Sequence, residues 1–441
     1  MTGLFDGTFA RGGAAAAVSD QAWFRALLEV EAALARAAAG LGLVPTTAAD
    51  AVTAACADPA RLDSATVVAR AADAGNPVPP LVRVLQAAVG ERNAAAVHVG
   101  ATSQDILDTA LLLVAREAVA SIDADLASAA EAAARLATTH RDDVVMGRTL
   151  MQQALPTTFG LKVAGWLAGL DGARLRLAEV IASLPVQYGG AAGTLAASEG
   201  SGVALRSALA AELGLADTAA PWHAVRLPIA DLAGALGATA GVLATIATDV
   251  VLLAQTEVAE VTEGGESRGG SSAMPHKHNP VAAISARACA RRVPGLTATL
   301  FAAMEHEHER AAGAWQSEWP TLTELLRTVG SGAAWLDDCL SGLRPDPARM
   351  AATVAAARDP ELAGALAHAL APTLGPGAAH DAAAQATREA AASGRPLREV
   401  LAARTDVDVD ALLAAAPDTG EAAAQVEAVL ADHRRLTEGK P

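Results

Sequence analysis

Aromatic side chains are scarce in this sequence. Only 3% of its 441 residues are Phe, Trp or Tyr, although 52% are hydrophobic. A core with so few rings rests on Ala, Leu and Val; small side chains let helices approach closely, and Ala is the best helix former. The composition therefore predicts an all-α chain. Cysteine is also sparse: Cys56, Cys289 and Cys339 are odd in number and far apart. That excludes a disulfide framework and a thiolate metal cluster and fits a reducing cytosol. Positive charge is in deficit, with 33 Lys and Arg against 49 Asp and Glu and a net charge of −16. Such a balance argues against nucleic acid or an anionic membrane as partner. A site for an anionic ligand would have to build its own local positive field. The opening MTGLFDGTFARGG has no charged segment followed by an apolar one, so no signal peptide is expected. The longest uncharged run, roughly 232–248, is shorter than the ~20 residues that span a bilayer. It predicts a central helix buried on all sides.

What is present is helical pattern punctuated by polar segments. SDQAWFRALLEVEAALARAAA, residues 19–39, has apolar residues at near-helical spacing, with Ser19 or Asp20 to cap its start and Gly40 to end it. GNPVPP at 75–80 interrupts a less regular stretch. From Thr102 or Ser103 towards His140 no Pro or Gly occurs, which predicts one helix of unusual length. Further long helices are expected at about 155–183 and 228–262, and helix again from about Val281. RPDPARM, 344–350, marks the exit into a smaller helical part. The expected division is an N-terminal helical part over 1–103, a central long-helix bundle over 104–345 and a small C-terminal part over 346–441. Long helices with small residues on several faces bury more surface than one chain supplies, which predicts a bundle completed by other subunits.

Three polar segments break the apolar pattern. In HVGATSQD, 98–105, Thr102 and Ser103 put hydroxyls and backbone N–H groups at a helix N-terminus, a seat for a carboxylate or simply a cap. In GRTLMQQALPTTFG, 147–160, Arg148, Thr149 and Gln152 offer a cation, a hydroxyl and an amide; by itself the stretch reads as a solvated loop before a helix. The third is EGGESRGGSSAMPHKHNP, 263–280, whose glycines suit a segment that closes over a ligand. It carries Ser271 and Ser272 as proton carriers, Lys277 as a cation and Asn279 as an orienting amide. With no cysteine pair and no phosphate-loop spacing, these groups point to proton chemistry on an organic anion. YGGAAGT lacks the context of a dinucleotide site. MEHEHER, 304–310, puts His306 and His308 on different sides of a helix, so a charged face rimming a cleft is expected there rather than a metal site.

Gly270–Pro280 fits the loop pattern GSSxMPxKxNP. With the other two segments in this order, the chain resembles the fumarase/aspartase superfamily along nearly its whole length. The resemblance implies a cofactor-free, metal-free homotetramer whose active sites each draw on three subunits. The wording of HVGATSQDILDT, LPVQYGGAAGTLA, PWHAVRLPIADLAGALG and EHERAAGAWQSEW is most similar to the bacterial 3-carboxy-cis,cis-muconate cycloisomerases of that superfamily. By that resemblance Ser271 exchanges a proton next to a carboxylate, with Ser272 the second candidate. Lys277, Asn279, Thr102, Ser103, Thr149 and Gln152 cradle a polycarboxylate. Arg148, Arg226, His98, His276 and Arg310 supply further positive charge.

One departure carries chemistry. Members that release hydroxide, an amine or a guanidine have GRTH in the second segment; this chain has Leu150 where that histidine stands. Poor leaving groups need a general acid, whereas a carboxylate, with a conjugate-acid pKa of about 4, leaves unaided. Leu150 therefore weighs against an adenylosuccinate lyase. It leaves open a lyase expelling nitrite from a nitrosuccinate. A crystallin-like protein without activity is opposed by the intact Ser271, Ser272, Lys277 and Asn279. His98 and His308 are the histidines to test for a replacement acid.

Overall fold

The computed structural model describes residues 3–198, 200–264, 269, 270, 274, 277–356, 359–403 and 417–439. Among these, helix dominates as the composition predicts, and strands are confined to two two-stranded sheets.

Helix α1 spans Asp20–Gly40, and the Ser19 hydroxyl accepts from the Ala22 N–H at its start. It runs one residue further than expected, through Gly40, and the left-handed turn falls at Gly42. Helices α2 (Thr46–Cys56), α3 (Ser64–Ala74) and α4 (Val78–Val89) pack nearby, α2 on α1 and α4 on both α2 and α3. The prolines of GNPVPP enter the first turn of α4, where a missing N–H costs nothing.

Helix α5, Ser103–Thr139, has the length that the absence of Pro and Gly predicts. Ile106, Leu111, Leu112, Ile122 and Leu126 on it are fully buried, each stabilising the fold by about 1.5–3 kcal/mol. The next segment differs from expectation. Instead of a loop, strands β1 (Val144–Thr149) and β2 (Gln152–Thr158) form an antiparallel hairpin. Its turn is made by Leu150 and Met151, both at positive φ, as the twist of a two-residue hairpin turn demands. Helix α6 (Phe159–Ala182) starts only after the hairpin, with Thr158 Oγ1 accepting from the Leu161 N–H.

Helix α7 covers Gly202–Leu213 and α8 covers Leu227–Leu253. The expected span of α8 to 262 is too long: β3 (Val261–Glu263) occupies its end and pairs with β4 (Leu343–Pro345). Nor is α8 buried on all sides, since only 44% of its apolar window is covered within the chain. Among the described residues it is the one helix long and apolar enough to cross a membrane by length and composition. Helices α9 (Val281–Ala302) and α10 (Ala314–Ser341) follow. MEHEHER lies between them and is not helical, which corrects the expected charged helix face. The Ala312 N–H donates to Glu307 there, and His308 takes positive φ.

Five more helices end the described chain: α11 (Pro347–Ala356), α12 (Asp359–Leu374), α13 (Pro376–Ser393), α14 (Leu397–Ala402) and α15 (Ala422–Thr437). Contacts divide the chain into two discontinuous units. The first contains 1–129, 172–248 and 282–338; the second contains 130–171, 249–281 and 339–441. In the second unit Leu362, Leu366, Ala383, Ala386, Leu397 and Leu401 form a core between α12, α13 and α14. Buried His433 ties α15 down, with Nδ1 2.9 Å from Asp171 and Nε2 3.3 Å from Glu131. All three cysteines are buried; burial pushes the Cys56 thiol up to about 12, which keeps it unreactive.

Candidate functional site

In the first unit the segment 98–105 is held from beneath. His98 has a left-handed backbone, φ 62. Its N–H donates to Glu31 Oε2 at 2.9 Å and its Nδ1 lies 2.7 Å from Glu31 Oε1. Burial alone would lower the His98 pKa, but the hydrogen bond and charge of Glu31, with Asp105 behind, outweigh it and leave it raised. Thr102 and Ser103 do sit at the N-terminus of α5, yet the Thr102 N–H is already taken by Asp105 Oδ2 at 2.9 Å. The chain's own carboxylate thus fills part of the expected anion seat.

Asp105 is almost fully buried and binds four donors' worth of structure. Besides Thr102, it accepts from the Gly189 and Gly190 N–H groups, each at 2.9 Å, and lies 2.7 Å from His223 Nε2. It thereby fixes the glycine-rich segment after α6 against the start of α5. Tyr188 completes the join, its hydroxyl donating to the Val99 carbonyl at 2.9 Å with Ser198 Oγ at 3.1 Å. Gly100 is required at this crossing: it has φ +63, and a Cβ there would lie 2.6 Å from the Tyr188 hydroxyl and 2.8 Å from Ser198 Oγ. Gly100→Ala is expected to destabilise the fold by about 1–3 kcal/mol through overpacking. Thermal melts should show this loss, and adding Tyr188→Phe, which removes the nearest atom, should recover part of it.

Arg226 is not a ligand-facing cation, which corrects the expectation for it. It is fully buried, with Nη1 donating to Asp108 at 2.7 Å and Nε to Glu318 at 2.9 Å. Burial pushes its pKa down, but Asp108 and Glu318 more than reverse this. Trp315 Nε1 and the Gln104 amide also donate to Asp108, at 2.9 and 3.2 Å. Arg310 differs. Its Nε donates to Gln104 Oε1 at 3.1 Å, which ties it to the 98–105 segment, while its buried Nη2 has no hydrogen-bond partner among the described residues. This is an unspent, charged donor at the edge of the segment. His306, its side chain buried, lies 3.4 Å from Glu318 and makes no hydrogen bond at either ring nitrogen among the described residues. His308 is exposed.

In the second unit Arg148 is engaged by Glu260 in a two-pronged pair, at 2.7 and 2.9 Å. Glu260 is fully buried, so much of the Arg148 charge is neutralised in place. Thr149 and Gln152 face each other across the hairpin turn, where Leu150 is 96% exposed. Asn279 closes the neck of the loop that follows β3: its backbone N–H and its side-chain amide both donate to the Gly269 carbonyl at 2.9 Å. Lys277 is exposed. Ser271, Ser272 and His276 lie outside the described residues. Among the described residues no group of histidines, cysteines and carboxylates is arranged to hold a metal. A cavity of about 1170 Å³ between α1, α3 and α10 of the first unit is lined by Trp23, Phe24 and Trp319 and by none of the expected site residues.

A lyase family model matches residues 13–295. The chain belongs to that lyase family, within the fumarase/aspartase superfamily. A 3-carboxy-cis,cis-muconate cycloisomerase of Bradyrhizobium diazoefficiens is 45% identical over 89% of this chain and 88% of the relative. A nitrosuccinate lyase of Streptomyces davaonensis is 46% identical over 89% and 85%. The crystal structure of a 3-carboxy-cis,cis-muconate lactonizing enzyme from Pseudomonas putida superposes with a TM-score of 0.89 at 39% identity, covering 98% of this chain and 99% of that one. For this lyase-family chain, reading the sequence missed Glu31, Asp105, Asp108, His223 and Glu318. Each is buried and paired, and neither a lone acid in a helical pattern nor a single histidine before a helix gives a sign of that.

Proposed function

We propose that the chain is a cofactor-free cycloisomerase that converts 3-carboxy-cis,cis-muconate to 4-carboxymuconolactone. What carries this reading over the amine-releasing members is Leu150. It stands at an exposed hairpin turn in place of an acid histidine, and only a leaving group that is stable as an anion dispenses with the acid. The number of cationic donors favours three carboxylates: Arg310 with an unpaired Nη2, His98 with its raised pKa, and Lys277.

In the reaction one substrate carboxylate oxygen adds to the conjugated system of the same molecule, closing the lactone. Negative charge gathers on the oxygens of a neighbouring carboxylate as an aci-carboxylate, where Lys277, Arg310 and the N–H groups at helix starts offset it. Ser271, or Ser272 beside it, then passes its proton to the carbon next to that carboxylate. A free serine is a weak acid and base, so the cations around the closed loop set its proton affinity. The new C–O bond is made as the C=C π pair moves onto the neighbouring carboxylate and then into the new C–H bond. The serine alkoxide left behind is reprotonated from solvent, so the turnover consumes one proton and no group leaves the substrate.

The open face of α8 supports a homotetramer with shared sites. On its first-unit stretch Asp231, Gly234, Ala238, Gly241 and Thr245 remain at least partly exposed. They recur at alternating spacings of three and four residues, the seam of a helix awaiting another helix. Size-exclusion chromatography with light scattering tests the assembly. The function is tested by offering two substrates in parallel: loss of the diene absorbance of the muconate supports the cycloisomerase. Nitrite release from nitrosuccinate, with the muconate untouched, would support the other relative's reaction.

A further inference from the structure

Glu31 lies in the middle of the apolar face of α1, between Val30 and Ala32, and is fully buried. Among the described residues no Lys or Arg forms a salt bridge with it. Its two oxygens instead reach one residue: Oε2 takes the His98 backbone N–H at 2.9 Å and Oε1 lies 2.7 Å from His98 Nδ1. A buried carboxylate is costly unless it is paired, and among the described residues this one is paired with His98 of the 98–105 segment. The two bonds do different work. The bond to the backbone holds His98 at φ 62, a conformation non-glycine residues rarely adopt. The bond to Nδ1 fixes the proton on that nitrogen and the plane of the ring. Nε2 then remains, with no hydrogen bond among the described residues.

We propose that Glu31 is a positioning residue of the site: it clamps His98 so that Nε2–H is aimed as a cationic donor at a substrate carboxylate. The logic is that of a carboxylate orienting a histidine through its far nitrogen. The charged groups facing the imidazole are Glu31 from α1 and Asp105 from α5, both negative, and both favour the imidazolium. The acid therefore acts through His98 and does not touch substrate. The substrate part of this inference rests on the cycloisomerase reading above; the clamp itself does not.

The experiment uses the full-length enzyme with Glu31→Gln and Glu31→Asp. Carbethoxylation of His98 by diethyl pyrocarbonate, followed by mass spectrometry of its peptide across pH, reports the His98 titration without any substrate. Wild type should show a midpoint above the ordinary 6.5. Glu31→Gln removes the charge that raises it, so the midpoint should fall. Glu31→Asp, which keeps the charge and loses reach, should fall between and carries the test if the Gln variant does not fold. Kinetics give the second readout. With 3-carboxy-cis,cis-muconate, KM should rise about tenfold in Glu31→Gln with a smaller change in kcat, and the alkaline limb of kcat/KM should move to lower pH. An unchanged midpoint in both variants overturns the clamp. A shifted midpoint with an unmoved KM and alkaline limb overturns the aim at substrate. Wild-type enzyme inert towards the muconate, with the midpoint still shifting, overturns the cycloisomerase reading and upholds the clamp.

Discussion

Replacing Ser271 with Ala is expected to lower turnover of 3-carboxy-cis,cis-muconate by roughly a hundred- to ten-thousandfold while the assembly stays intact. The range is that of losing a positioned proton carrier. Alanine removes one oxygen from a loop whose neck is held elsewhere, by the two bonds of Asn279 to the Gly269 carbonyl. Gly269 has φ 78, and a Cβ there would lie 2.2 Å from the Asn279 carbonyl oxygen, so the neck depends on glycine at 269. KM should change far less than kcat, because in the proposed reaction the hydroxyl moves a proton while the cations bind the carboxylates. The variant's initial rate, with light scattering on the same sample, checks both halves. A near-wild-type rate would transfer the role to Ser272, and near-wild-type rates in both single variants would remove serine from the mechanism.

Arg226→Met is expected to be the most destabilising single change in the first unit. It leaves Asp108 and Glu318, both fully buried, facing each other without their shared cation. Removing one partner of a buried ion pair costs about 3–5 kcal/mol, because the charge left behind stays desolvated. Here two charges are left, and Asp108 also anchors Trp315 and Gln104. Arg310 hangs on Gln104 in turn, so the damage should reach the candidate site as well as the core. Arg226→Lys keeps the charge but not the planar fork that serves both acids, and should fall between. Denaturant unfolding monitored by tryptophan fluorescence gives the comparison. A loss below about 1 kcal/mol in Arg226→Met would mean that the network is a crowd of neighbours and not a structural unit.

Some of this was legible in the sequence and some was not, for reasons that differ by residue. The run from Ser103 to Thr139 declares itself because nothing in it stops a helix. The fold class follows from alanine content for the same reason. The hairpin at 144–158 did not show, because its period-two pattern is broken by an irregularity between Met146 and Arg148 and its turn uses Leu150 and Met151 in place of Asn and Gly. MEHEHER looks like charged helix, but His306 is drawn into the interior and the backbone turns at His308. The signature loop stands out in the sequence because its residues are chemically conspicuous. The support of the 98–105 segment does not: Glu31 in an amphipathic helix reads as a solvent-facing acid, and only the fold puts His98 on top of it. Arg226 was taken for a ligand-facing cation because sequence shows a charge and not what surrounds it.

The most direct measurement is to run the purified protein on 3-carboxy-cis,cis-muconate in deuterium oxide and identify the product by NMR and mass spectrometry. Intramolecular addition with proton delivery to carbon yields 4-carboxymuconolactone carrying one deuterium, formed as the diene absorbance disappears. Unchanged muconate under conditions where nitrosuccinate releases nitrite would contradict the account.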